Sequence, residues 1–232
     1  MKTVALVGTF DSKGVEYAYV KKILEDLGLK TFTIHMGVFP PMFTPDVSNE
    51  DVANAVGVDI REVAAKKDRA WATEVLSKGM EKLIPQLYHE GKFDGILAFG
   101  GTGGTSIATP AMRALPIGVP KVMVSTVASG NTSQYVGTSD IVMMPSVVDV
   151  SGLNSISTKI FSNAAFAIAG MVTYENKAVV EKKPLVAATM FGVTTPCINF
   201  AREYLEARGY EVLVFHATGT GGRSMEDLVK AG

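Results

Sequence analysis

The chain is predicted to be an α/β protein: a Rossmann-like parallel sheet flanked by helices, followed by the start of a second, similar α/β unit. Three observations predict this. Short β-branched apolar runs alternate with longer helical patterns, as in a parallel α/β sheet. The glycine-rich and polar segments fall directly after the strands, where such sheets bind ligands. Finally, the opening pattern returns late in the chain: Phe10, Glu25, Gly28 and His35 align with Phe191, Glu206, Gly209 and His216 at a constant offset of 181 residues. That repeat is either a duplication or two βαβ units of equal length sharing a helix-stop glycine.

Taken in order, Thr3 to Thr9 is an apolar strand, Asp11-Ser12-Lys13-Gly14 a polar turn, and the following helix runs to Leu27 with Gly28 as its stop. Thr31 to His35 then supplies a parallel neighbour. Val38 to Pro45, rich in proline and apolar side chains, is an irregular loop and a candidate wall or lid, and Ser48 with Asp51 forms a helix cap. From Ile60 to Tyr88, Trp71, Val75, Met80, Leu83 and Leu87 recur at helical spacing, which predicts one long or broken amphipathic helix. Asp94 to Phe99 is a buried strand, Gly100 to Thr105 a loop leading into a helix that ends near Leu115, and Pro120 to Ser125 another strand. Thr126 to Asn154 is polar around the short apolar run Ile141 to Met144, and a small-residue helix follows to Thr173. The charged, proline-ended segment Tyr174 to Pro184 divides a ligand-binding domain, residues 1–178, from a second unit, residues 184–232, opening on the strand Leu185 to Met190. Two strands and two helices cannot cover both faces of a parallel sheet, so the second unit is expected to be truncated or to dock elsewhere.

Composition narrows the function. With 232 residues and 47% hydrophobic content, a sizeable core is available. A net charge of −1 argues against direct nucleic-acid binding, which draws on a basic surface. The single cysteine, Cys197, excludes an intrachain disulfide framework and fits a reducing compartment. Without an apolar run of about 18 residues, no membrane partner is expected, and the predicted location is cytoplasmic.

The strongest chemical feature is Gly100-Gly101-Thr102-Gly103-Gly104-Thr105, between a strand and a helix. Glycines let main-chain amides approach an anion, and the helix adds unpaired N–H groups and the positive end of its dipole. No Lys-Ser/Thr follows as in a P-loop, and Ser106 breaks the dinucleotide fingerprint. Gly219-Thr220-Gly221-Gly222 repeats the pattern after a later strand. At the end of the first strand, Thr9, Phe10, Asp11 and Lys13 are further binding candidates: Lys13 for phosphate, Asp11 for a hydroxyl or a water on Mg²⁺, or else as a helix cap. Ser125, Thr126, Ser129, Gly130 and Asn131 follow a strand and are expected to face the same crevice, joined by Asp149 and Asn154. Of the three histidines, His89 suits a helix C-terminus, whereas His35 and His216 end equivalent strands as general bases, phosphate donors or simply hydrogen-bonded side chains. His216 and Asp11 are the catalytic candidates. Cys197 is expected to be buried and structural, and no zinc, Ser-His-Asp or paired-carboxylate pattern is present.

Val7-Gly8-Thr9-Phe10-Asp11, Gly100 to Thr105, Pro120 to Thr126, Ser146 to Val150, Met190 to Pro196 and Phe215 to Gly222 together resemble a family of uncharacterised proteins. That family includes the ATP-binding N-terminal region of the tomato tobamovirus-resistance protein. The resemblance implies a two-part Rossmann-like architecture, ATP as ligand with or without Mg²⁺, self-association as a homodimer or higher homo-oligomer, and a longer parent chain. The expected partner is thus a small phosphate-bearing ligand held on glycine-rich loops. The alternatives are a hydrolase, lyase or isomerase acting on a phosphorylated or carboxylated metabolite, and a regulatory protein-binding module.

Overall fold

The computed structural model describes residues 1–174 and 181–231. The chain divides into two compact units, Met1–Glu175 and Asn176–Gly232. The heart of the expected boundary segment, residues 175–180, lies outside the described residues.

In the first unit, five parallel strands stand in the order β2-β1-β3-β4-β5. They are β1 (Thr3–Gly8), β2 (Lys30–His35), β3 (Gly95–Gly100), β4 (Lys121–Ser125) and β5 (Val142–Pro145). Strand alternation sends Ala5, Val7, Ile96 and Ala98 into one core and Val4, Leu6, Leu97 and Phe99 into the other. On the first face lie α2 (Asn49–Asn54), α3 (Ile60–Lys66), α4 (Arg69–His89) and α5 (Thr102–Arg113). On the second lie α1 (Gly14–Asp26) and, beyond the short α6 (Ser133–Val136), α7 (Ser157–Thr173). Because the chain winds outward from β1 in both directions, the topology reverses between β1 and β3, and a crevice must open there at the carboxyl ends of the strands.

That opening has a structural consequence. β1 and β3 pair only from Val4↔Gly95 to Val7↔Ala98. Where they part, the Tyr17 hydroxyl from α1 accepts from the Phe99 amide at 2.7 Å and lies 2.6 Å from the Val7 carbonyl and 2.9 Å from that of Phe99. Burial holds this phenol well above the usual tyrosine range, although the Phe99 backbone bond works against the shift. The ring fits because residue 8 is glycine: a Cβ there would stand 2.0 Å from Tyr17 Cζ.

Helical periodicity from Ile60 to Tyr88 is interrupted where the sequence gives little warning. Lys67 ends α3 in the left-handed region, at φ 52°, and Asp68 restarts the helix by accepting from the Trp71 amide. Ser48 and Asp51 form the expected capping box of α2. A lysine is fully buried in β4: Lys121 Nζ donates to the Pro116 and Val119 carbonyls and pairs with Asp140 at 2.6 Å.

The second unit contains parallel strands β6 (Leu185–Met190) and β7 (Glu211–His216), a 3-10 turn at Gly192–Thr194, and helices α8 (Thr195–Glu206) and α9 (Gly221–Ala231). It repeats β1-α1-β2: Met190 pairs with His216 as Gly8 pairs with His35. The constant offset fails at the first strand, however. Phe191 follows Met190 directly, whereas Thr9 intervenes between Gly8 and Phe10, so the turn after β6 is one residue shorter. Cys197 is exposed on α8, contrary to the expectation of a buried thiol, because the faces of α8 are not covered within this small unit.

Candidate functional site

A cavity of about 700 Å³ occupies the crevice beyond β1 and β3. Four segments wall it: Thr9 to Lys13 after β1, Met36 to Phe39 after β2, Gly101 to Gly104 after β3, and Lys67 to Arg69 at the α3–α4 break, with Asp149 at its rim.

The glycine loop forms the N-terminus of α5. Its cap, Gly101, supplies no side chain, and the first amide with a protein acceptor is that of Thr105, which donates to the Gly101 carbonyl at 3.0 Å. The amides of Thr102, Gly103 and Gly104 therefore have no acceptor among the described residues, leaving them and the positive end of the helix dipole for an anion. Arg69 reaches the same place from α4, its guanidinium 3.6 Å from where a Gly103 Cβ would stand. The guanidinium makes no hydrogen bond or ion pair among the described residues, although the Arg69 carbonyl accepts from the Thr73 hydroxyl. The helix break thus delivers a cation to the glycine loop, and with Lys67, Met36 and Gly37 it was missed by sequence reasoning, whereas Val38 and Phe39 belong to the loop expected as a wall. The usable signal was Asp68, an N-cap residue inside an apparently continuous helical pattern.

Several expected binding residues are corrected by their surroundings. Phe10 is wholly buried, its ring against Tyr17, His35 and Phe43, and it does not line the cavity. Thr105 and Ser125 are buried and joined hydroxyl to hydroxyl at 2.6 Å, tying α5 to β4 behind the loop. Ser129, Gly130 and Asn131 do not line the cavity: Asn131 Oδ1 accepts from the amide and hydroxyl of Ser133, shaping the entry to α6. Thr126 is exposed beside Gly101, 3.7 Å from that residue's would-be Cβ. Asn154 caps the start of α7 through Ile156 and Ser157.

Thr9, Asp11, Lys13 and Gly101 to Gly104 do converge on the cavity, Gly100 lying just behind as the end of β3. Lys13 Nζ donates to the Val150 carbonyl and thereby anchors the segment carrying Asp149. Asp11 does not cap α1; its Oδ2 accepts from the Phe39 amide at 3.0 Å. His35 completes that clamp. Its Nδ1 accepts from the amides of Phe10 at 3.1 Å and Gly37 at 3.3 Å, which makes Nε2 the protonated nitrogen that donates to the Phe39 carbonyl at 2.8 Å. Both ring nitrogens are engaged, so His35 holds a loop in place and is not poised as a base.

In the second unit, His216 is exposed, with Nδ1 2.7 Å from the Thr218 hydroxyl and its ring edge-on to Phe191. The Thr218 amide approaches Nδ1 as the Gly37 amide approaches that of His35. Gly219 turns the chain at φ 69°, Thr220 accepts from the Ser224 amide, and Gly221 and Gly222 open α9, Gly221 lying directly against the His216 carbonyl. As after β3, a glycine-bearing turn leads from a strand into a helix, here through Ala217 to Thr220 where the first unit has Gly101 alone. Among the described residues, no helix is long and apolar enough to cross a membrane.

Residues 2–177 match the profile described as "Uncharacterised protein family (UPF0261) N-terminal domain", and residues 183–232 match that of the C-terminal domain. A UPF0261 protein of Clostridium tetani is 51% identical over the whole of this chain, which covers 57% of that relative. The ToMV resistance protein Tm-1(GCR237) of Solanum lycopersicum is 50% identical over 169 residues, 71% of this chain and 22% of the tomato protein. The chain therefore spans little more than half the length of its bacterial relative. Among solved structures, an S. aureus MnaA–UDP complex aligns over all of this chain and 67% of its own, at 11% identity and a TM-score of 0.40, too low to bear on ligand or mechanism.

Proposed function

We propose, on the premise that this chain belongs to the uncharacterised protein family UPF0261, that its first unit binds a nucleoside phosphate, with ATP the leading candidate. One observation carries the reading: the unpaired amides of Thr102, Gly103 and Gly104 and the uncommitted guanidinium of Arg69 meet at one wall of the switch-point cavity. Unpaired donors and a fixed positive charge suit a di- or triphosphate. Thr9 and Ser12 also line the cavity, the Ser12 hydroxyl donating to Thr9. Asp11 Oδ1 and Asp149 could share a Mg²⁺ carried on the phosphates, since that ion takes only one or two protein carboxylates. No reaction is assigned.

Calorimetric titration with ATP, ADP, NAD, acyl-CoA and inorganic tripolyphosphate tests the proposal. ATP and tripolyphosphate should bind, and Arg69→Ala should weaken both by roughly tenfold, the worth of one charge-assisted contact. Arg69 is exposed, so its loss should leave stability within about 0.5 kcal/mol. Absence of binding at millimolar concentration, or indifference to Arg69→Ala, would refute the site.

A further inference from the structure

Phe39 is an exposed aromatic ring on a backbone that cannot move freely. The side chain is 60% exposed, whereas Phe10 and Tyr17 are fully buried. Its amide is held by Asp11 and its carbonyl by His35, two side chains that act on the same residue from different strands. The Pro40-Pro41 pair that follows stiffens the loop further. The backbone of Phe39 is thus fixed from two sides while its side chain stays accessible.

The ring stands where two cavities meet. One is the switch-point cavity; the other, about 570 Å³, lies under the proline-rich loop. Within the first, polarity is divided. The glycine loop and Arg69 form the anionic-ligand end, while Met36, Val63, Ala72, Leu76 and Ile107 supply an apolar wall shared with Phe39. A ligand that satisfies both halves has phosphates at one end and a flat apolar body at the other.

We infer that Phe39 is the specificity-determining residue of this site and stacks against the planar base of the nucleotide, with Asp11 and His35 as the positioning residues that hold its backbone. The inference rests on the nucleoside-phosphate reading. Stacking on a rigid ring needs little ordering of the protein when the ligand arrives.

Titration of wild type, Phe39→Ala and Phe39→Trp with ATP and with inorganic tripolyphosphate separates the two claims. Phe39→Ala should weaken ATP by roughly tenfold, Phe39→Trp should retain it, and tripolyphosphate, which has no base, should bind all three proteins alike. Melting curves should be nearly unchanged, because the ring is exposed. If wild type binds ATP and tripolyphosphate but Phe39→Ala weakens neither, or weakens both equally, the stacking role is overturned and the phosphate site stands. If wild type binds neither, the nucleoside-phosphate reading fails and the role of Phe39 falls with it.

Discussion

Replacing Gly8 by alanine should unseat Tyr17. The new Cβ would lie 2.0 Å from Cζ, 2.2 Å from Cε2 and 2.4 Å from the hydroxyl oxygen, all inside the closest approach that real Cβ atoms show. The ring has no easy retreat, since Phe10 and Phe99 each stand 4.9 Å away, centroid to centroid. Moving it strips the Phe99 amide of its acceptor inside the sheet. Overpacking costs about 1–3 kcal/mol and an orphaned buried amide about 1–3 kcal/mol more, so a loss of about 2–6 kcal/mol is expected. Gly8 does not have positive φ, so alanine imposes no backbone penalty of its own. In a Tyr17→Leu background the obstructing atoms are gone, and Gly8→Ala should then cost under about 1 kcal/mol. Urea unfolding followed by fluorescence reports the first unit alone, because Trp71 is the single tryptophan and lies in α4. Equal costs of Gly8→Ala in the two backgrounds would refute the argument that Tyr17 splices the parting strands.

The ion pair between buried Lys121 in β4 and the part-exposed Asp140 predicts an acid-sensitive contribution. Burial alone would raise Asp140, but Lys121 and the Gly118 amide outweigh it and hold the carboxyl below its ordinary range. A depressed folded-state value means the contribution is complete above the unfolded value near about pH 4 and disappears as pH falls through the folded value. Asp140→Asn should therefore be destabilising at pH 7, with the deficit closing toward pH 2; urea midpoints that differ by a constant amount across that range would contradict the assignment. Val147→Gly should act in the opposite direction. Val147 holds φ 64° in a tight turn closed by the Val148 amide on the Ser146 carbonyl, and its side chain is mostly exposed. Relief of this strain, less the entropy glycine loses on folding, should stabilise by about 0.5–1 kcal/mol; a lowered urea midpoint would count against it.

The sequence made the strands, the βαβ opening and the anion-ready loop legible, because alternation, helix stops and glycine clusters are local properties of the chain. Strand order was not local. Nothing in the letters of β2 says that it lies outside β1 while β3 lies on the other side, and that reversal creates the cavity. Residues near strand ends were legible as a group but not individually. Ser125 and Thr126 are neighbours in sequence, yet strand alternation puts one under α5 and the other in solvent. Likewise, the strand-end position of His35 left a base, a phosphate donor or a hydrogen-bonded side chain open, and the last is what the structure holds: one amide on its ring nitrogen comes from Gly37 nearby and the other from Phe10, 25 residues away. The contribution of Arg69 was hidden for a different reason. A single left-handed lysine redirects the chain without disturbing the apolar periodicity on either side.

The helix that begins with Arg69 continues for 21 residues, about 30 Å, so it runs from the cavity wall toward the opposite rim of the sheet as a single strut. Its backbone ladder is one bond short near the far end, because Pro85 has no amide to offer the Glu81 carbonyl.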